Sequence, residues 1–131
     1  MGLMGHVVWL MNQSPLHKHL FISDLEWLVM PALMLGQFRI WHETDKQGNR
    51  VPVAFASWAY LDAEAEARLK EGVKRLRPTD WKSGDALWLI DVIAPFGAAE
   101  KAIAQLREQV FKGRPVKSLQ PAPDGRGTVV V

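Results

Sequence analysis

The feature that most constrains this chain is the run Leu87-Trp88-Leu89-Ile90-Asp91-Val92-Ile93-Ala94, apolar at every position except one. It follows a Ser83-Gly84-Asp85 turn and stops at Pro95-Phe96-Gly97, so it has the length and the punctuation of a strand. Both parities are apolar, and neither face can therefore be wet. The run predicts a central strand covered on both sides, most simply by helices packed on a sheet. Asp91 conflicts with that burial, because an ionised carboxylate without partners is too costly to bury. It has to lie at a strand end or in a cleft, or be paired. A structural carboxylate tied to an Arg or to backbone N–H groups and a functional carboxylate both satisfy this condition.

The remaining elements build a layered domain around that strand. Leu3 to Met11 predicts a short, mostly buried helix, with Leu3, Val7 and Leu10 on one face and Met4, Val8 and Met11 beside it. Pro15 ends it and holds Ser14 out of the helical region. A second helix is expected from Ser23 as N-cap through Trp27 and Met30 toward Leu35, kinked at Pro31 and stopped at Gly36. Phe38 to His42 and Val51 to Leu61 read as antiparallel strands joined by the polar loop Asp45 to Arg50. Asp62 is placed to cap a helix reaching about Leu76, with Leu69, Val73 and Leu76 inward and the pairs Glu64/Arg68, Glu66/Lys70 and Glu71/Arg75 outward. Ala98 to Lys112 predicts a further amphipathic helix with Ile103, Leu106 and Val110 inward and Gly113 as its stop. Pro115 to Gln120 and Thr128 to Val131 predict a last strand pair. The expected fold is α+β: a mixed, mostly antiparallel central sheet with helices on both faces, in one domain over residues 1–131.

Composition narrows the function classes. A chain of 131 residues can bury a sizeable core without staples, and it contains no Cys. Disulfides, thiolate metal sites and a cysteinyl acyl-enzyme are thereby excluded. A net charge of +2 permits an acidic partner and is too small to argue for nucleic acid. No apolar run reaches membrane-spanning length, and the apolar start lacks the basic residues and cleavage site of a signal peptide, so a cytoplasmic location is expected. No zinc-type His-Glu-x-x-His, P-loop or strand-linked G-x-G-x-x-G occurs, and no metal is expected. Of the imidazoles His6, His17, His19 and His42, His17 has the most promising setting, because it follows the turn that Pro15 enforces. The residues alone support a mixed α/β domain with a candidate His17/Asp91 dyad.

A set of short motifs adds a resemblance. Gly5-His6-Val7 through Trp9-Leu10 and Ser14-Pro15-Leu16-His17 stand near the start, with Pro52-Val53-Ala54 and Ser57-Trp58-Ala59 following. Asp80-Trp81, Ser83-Gly84-Asp85, Trp88, Ile90-Asp91 and Ile93-Ala94-Pro95-Phe96-Gly97 complete the series. In order and spacing this set resembles the RTX toxin-activating lysine acyltransferases, the haemolysin-activating protein family. The resemblance implies a GNAT-like fold, an acyl carrier protein thioester as donor, no bound cofactor, and internal lysines of an RTX protoxin as acceptor. It also implies that His17 and Asp91 match the family's essential histidine and aspartate. Compared with familiar members the chain is shorter at its C-terminus, so any acceptor-binding role of that tail is not carried over. The glycine-rich pyrophosphate loop of GNAT enzymes is missing before the Ala98 helix, which agrees with a carrier-protein donor rather than coenzyme A.

The chemistry implied is aminolysis of a thioester. A lysine amine, with an ordinary pKa near 10.4, is neutral in only about one molecule per thousand at neutral pH. His17 is the candidate base, with Asp91 holding its tautomer. The alternative is that the imidazole takes the acyl group itself. Ser14 is a third candidate, as nucleophile or oxyanion donor, against a local turn hydrogen bond beside Pro15. The N–H groups of Gly97, Ala98 and Ala99 suit the phosphate of acyl-phosphopantetheine, or are an ordinary helix entrance. Lys70, Lys74, Arg75, Arg77 and Lys82 form the densest basic stretch, fit for an acidic carrier protein or simply solvated. A non-catalytic carrier- or protein-binding module on the same fold, an acyltransferase with another acceptor, and a homodimer all stay open.

Overall fold

The structure, a computed structural model, describes residues 2–15, 17–71, 75–121 and 128–130. It is a mixed α+β chain. Among the described residues the helices are α1 (Leu3–Gln13), α2 (Leu25–Leu28), α3 (Met30–Leu35), α4 (Ala63–Lys70) and α5 (Ala99–Gln105). The strands are β1 (Phe38–Thr44), β2 (Arg50–Leu61), β3 (Ala86–Ile93), β4 (Lys117–Pro121) and β5 (Thr128–Val130), hydrogen-bonded in the order β1-β2-β3-β4-β5. β3 is thus the middle strand, and Trp88 and Ile93 on it are fully buried. It pairs in parallel with β4, which pairs antiparallel with β5, so the sheet is mixed as expected.

By internal contacts the chain divides into two compact units. One holds Met1–Phe21, Phe38–Ala56 and Asp91–Arg114, and the other holds Ile22–Gln37, Ser57–Ile90 and Pro115–Val131.

In the first unit α1 buries Val7, Leu10 and Met11, a narrower stripe than the sequence suggests, with Leu3 and Val8 exposed. The β1–β2 loop forms because Asp45 accepts the N–H groups of Gln47 and Asn49 at 2.9 and 2.8 Å while Gly48 supplies a left-handed turn at φ +82°. The expected helix over Ala98 to Lys112 is two pieces: α5, then one π-helical turn from Leu106 to Val110 closed by Phe111 N–H on the Leu106 carbonyl at 2.8 Å. The extra residue in that turn shifts the helical phase. Phe111 is therefore buried where Val110 was expected, alongside Ala102 and Leu106. Trp41 donates to Gln105 at 2.7 Å and Arg39 to Gln109 at 2.9 Å, which ties β1 to this helical arm.

In the second unit the helix expected from Ser23 to Leu35 is a 3₁₀ turn followed by α2 and α3, with the break at Val29 ahead of Pro31. Ser23 does not cap it. Proline is tolerated where it falls, in the first turn of α3, because its missing N–H has no intrahelical partner there. Gly36 ends α3 in the left-handed region at φ +71°, as expected. The N–H groups of buried Gln37 then donate to the carbonyls of Ala32 (backbone), Trp58 and Trp81 (side chain) at 2.9 to 3.0 Å.

Asp62 caps α4 by accepting from Ala65 N–H at 2.8 Å, but α4 stops at Lys70, short of Leu76. Gly72 follows, a poor residue for a helix interior; Val73 lies outside the described residues. Of the expected outward pairs, Glu66/Lys70 alone forms among the described residues, at 3.5 Å. Glu66 instead accepts from Trp88 at 2.8 Å and Lys117 at 3.0 Å, fixing α4 on β3 and β4. The Trp88 hydrogen bond first, then Lys117, hold its carboxyl below the ordinary range against the opposing effect of burial.

Gly84 sits directly against the end of β2. A Cβ there would lie 2.6 Å from the Leu61 carbonyl oxygen and 2.7 Å from the Asp62 Cα. Both are backbone atoms and cannot swing aside, so Gly84→Ala is expected to cost about 1–3 kcal/mol. Urea unfolding checks this, and a variant as stable as wild type would contradict the tight approach.

Candidate active site

The site is assembled within the first unit from the end of α1 and from Asp91 on β3. Ser14 leaves α1 in an extended conformation (φ −95°, ψ 123°), as a residue before proline must. The chain then tightens into a turn in which the Ser14 carbonyl accepts the N–H groups of His17 at 3.1 Å and Lys18 at 2.9 Å. That turn places the Ser14 hydroxyl 2.6 Å from His17 Nδ1. The other ring nitrogen, Nε2, lies 2.8 Å from Asp91 Oδ1. All three side chains are largely shielded, those of His17 and Asp91 being 10% and 15% exposed.

With Asp91 as the carboxylate and the imidazole neutral, one proton arrangement satisfies both bonds. Asp91 can only accept, so Nε2 carries the hydrogen; Nδ1 then presents its lone pair and accepts from Ser14 O–H. The basic nitrogen is therefore the one beneath the serine hydroxyl. Asp91 Oδ2 is buried and has no hydrogen-bond partner among the described residues.

The structure thus brings together three of the residues singled out in the sequence. Gly97, Ala98 and Ala99 belong to the same unit, at the start of α5. There Gly97 is left-handed (φ +87°) and its N–H already donates to Ala94 O at 3.3 Å, Ala98 is the N-cap, and Glu100 puts a carboxylate in the first turn. Ser57 and Trp58 belong to the other unit, both buried. The described residues include no group of three or more His, Asp or Glu able to hold a metal ion, and no helix long and apolar enough to cross a membrane.

One pairing escaped the sequence. His6 on α1 and His42 on β1 meet through Nδ1 and Nε2 at 3.1 Å, rings edge to face. They are 36 residues apart, and nothing local in either segment signals the contact. Burial first, then the Arg50 and His6 charges, hold the His42 pKa below its ordinary 6.5. The unfolded chain therefore takes up a proton near pH 6.5 that the folded chain refuses, and stability falls as pH drops through that value. The melting temperature of wild type is expected to decline more steeply from pH 7.5 to 5.5 than that of His42→Phe. Equal declines would remove His42 from the account.

Comparison with known proteins converges on one family. The profile of the RTX toxin acyltransferase family matches residues 1–131. A leukotoxin-activating lysine-acyltransferase of Aggregatibacter actinomycetemcomitans is 43% identical over 95 residues, 72% of this chain and 54% of that protein. A lysine-acyltransferase of Vibrio cholerae is 35% identical over 111 residues, 83% of this chain and 69% of that protein. A protein-lysine myristoyltransferase of Escherichia coli is 41% identical over 95 residues, 72% of this chain and 53% of that protein. The matched stretch spans about half to two thirds of these relatives' length.

Proposed function

Because the chain belongs to the RTX toxin acyltransferase family, we propose that it moves a fatty acyl group from the phosphopantetheine thioester of an acyl carrier protein to the ε-amine of internal lysines in an RTX protoxin. The observation that carries this reading is the Ser14–His17–Asp91 relay, a positioned imidazole whose two nitrogens are both held. The names of the relatives support lysine as acceptor and a fatty acyl group as cargo.

In this reading the neutral lysine nitrogen attacks the thioester carbonyl. As the N–C bond forms, the amine proton passes to His17 Nδ1, either through Ser14 Oγ, which gives its own proton to the ring, or directly once that hydroxyl turns aside. Asp91, on the Nε2 hydrogen, stabilises the imidazolium. Collapse of the tetrahedral centre breaks the C–S bond, and the proton leaves with the pantetheine thiolate, so thioester and amine become amide and thiol. The serine hydroxyl covers the lone pair that an acyl-histidine would need, which supports the general base over the acyl carrier role. A GNAT-like arrangement is part of the same proposal, supported by the order helices, hairpin, helix, strand, helix, strand pair and by the mixed sheet. Gly97, Ala98 and Ala99 are the proposed approach for the donor phosphate, on the ground that they share a unit with the relay.

The test is direct. The protein is incubated with acyl carrier proteins bearing several chain lengths and with a protoxin, and peptides are read by mass spectrometry. A lysine mass gain equal to the acyl group, dependent on the carrier, is expected. Absence of any acyl-lysine with every donor would overturn the proposal.

A further inference from the structure

The second unit contains a concavity of about 240 Å³ lined by Glu26, Trp27, Arg75, Leu76, Arg77 and Pro78. Three of these residues are apolar, two are arginines and one is a glutamate. The Arg75 guanidinium lies over the Trp27 ring, 5.7 Å from the centroid. The Trp27 indole N–H is held by Asp24 at 3.0 Å, which fixes the ring beneath it. Arg77 is steadied through buried Asp80, with N···O distances of 3.3 and 3.4 Å, yet stays exposed. Arg75 has no carboxylate partner among the described residues, because α4 ends before the turn that would pair it with Glu71. Two arginines thus line the hollow with Glu26, Arg77 shared with Asp80 and Arg75 without a carboxylate partner among the described residues.

We infer that this hollow is where the acyl carrier protein docks, and the inference rests on the donor reading above. A carrier protein presents an acidic helical surface. A helix of that kind can put an apolar side chain against Trp27, Leu76 and Pro78 while its carboxylates meet the two arginine forks. The stacked Arg75 is already ordered, so little side-chain freedom is lost when it binds. The acceptor is a poor occupant by comparison, because a lysine-bearing segment brings ammonium groups toward two fixed guanidiniums.

The test measures transfer from myristoyl-loaded acyl carrier protein to a protoxin under steady-state conditions. Arg75→Glu is expected to raise the KM for the carrier on the order of tenfold and to flatten its dependence on salt. Arg75→Lys, which keeps the charge and loses the fork, should fall between. Lys46→Glu, an equal charge change on the β1–β2 loop, should leave that KM within about twofold. Wild-type transfer with an unchanged carrier KM in Arg75→Glu would overturn the docking site alone. A raised KM for the protoxin in place of the carrier would assign the hollow to the acceptor and overturn the inference. If wild type transfers nothing from the loaded carrier, the donor reading falls and this site with it.

Discussion

His17→Ala is expected to lower acyl transfer to lysine by about a hundred- to ten-thousand-fold, the usual cost of losing a positioned general base. The imidazole is the group in the relay that offers a basic nitrogen while hydrogen-bonded on both sides. Alanine also takes away the Asp91 Oδ1 partner, and Oδ2 is already buried without one, so a loss of stability of about 1–3 kcal/mol is expected with it. His17→Gln separates the two effects. Its amide N–H can still reach the carboxylate, but it offers no basic nitrogen. Gln should therefore melt close to wild type and be as inactive as Ala. Near-normal transfer by either variant would remove His17 from the chemistry.

Asp91→Asn extends the same experiment. The amide can donate as well as accept, so it permits the ring tautomer with hydrogen on Nδ1, where the lone pair is needed, and it cannot stabilise the imidazolium. Transfer should fall nearly as far as in His17→Ala. The double variant should cost little more than His17→Ala alone, because residues acting as a unit are not additive. Independent, multiplying losses would mean that Asp91 acts apart from His17.

Why His17 and Asp91 stood out in the sequence is physical. A carboxylate inside an apolar strand needs a partner, and a proline before the histidine enforces the turn that displays it; both are local signals. The chain order was legible for the same reason, since strand length, the Asp62 cap and the glycine stops at Gly36 and Gly113 are local too. The exceptions lie where tertiary contacts decide. The helix over Ala98 to Lys112 is regular in pattern, yet a π turn inserts one residue and exchanges Val110 for Phe111 in the core. Arg68, four residues after Glu64, abandons the expected helix pair for Asp80, twelve residues on. Ser14 was visible as a candidate, but not its place on Nδ1, which depends on how the 14–18 turn closes. His6 and His42, and Gln37 between Trp58 and Trp81, carry no local signature at all.

A loss of stability of about 1–3 kcal/mol is expected for Asp80→Ala, the range for removing a buried acceptor from a charged hydrogen-bond network whose arginines keep access to water. Its side chain is 3% exposed. Its Oδ1 accepts from Arg68 at 3.0 Å, and its Oδ2 accepts the Arg77 backbone N–H at 2.8 Å and Arg68 at 3.3 Å. Burial alone would raise its pKa; the Arg68 and Arg77 hydrogen bonds outweigh it and hold the carboxyl below its ordinary 3.8. Asp80 also fixes its surroundings. Its carbonyl accepts from the Ser83 hydroxyl at 2.8 Å, and the same oxygen of Ser83 accepts the Asp62 N–H at 2.9 Å, so the cap residue of α4 and the turn before β3 are held together. Alanine removes the carboxylate that accepts from Arg68 and Arg77 and loosens the entry to the strand that carries Asp91. A fall in melting temperature of about 5 °C or more at neutral pH is expected. Asp80→Asn, which keeps acceptor oxygen but no charge, should lose less. Acid gives an independent check: a carboxyl with a lowered folded pKa stabilises fully above pH 3.8, and that contribution drains away as pH falls through its folded value. Wild type and Asp80→Ala should therefore converge in urea unfolding as the medium is acidified below that point. A difference under about 1 kcal/mol at pH 7 would show that the arginines find other partners and that Asp80 does not anchor this turn.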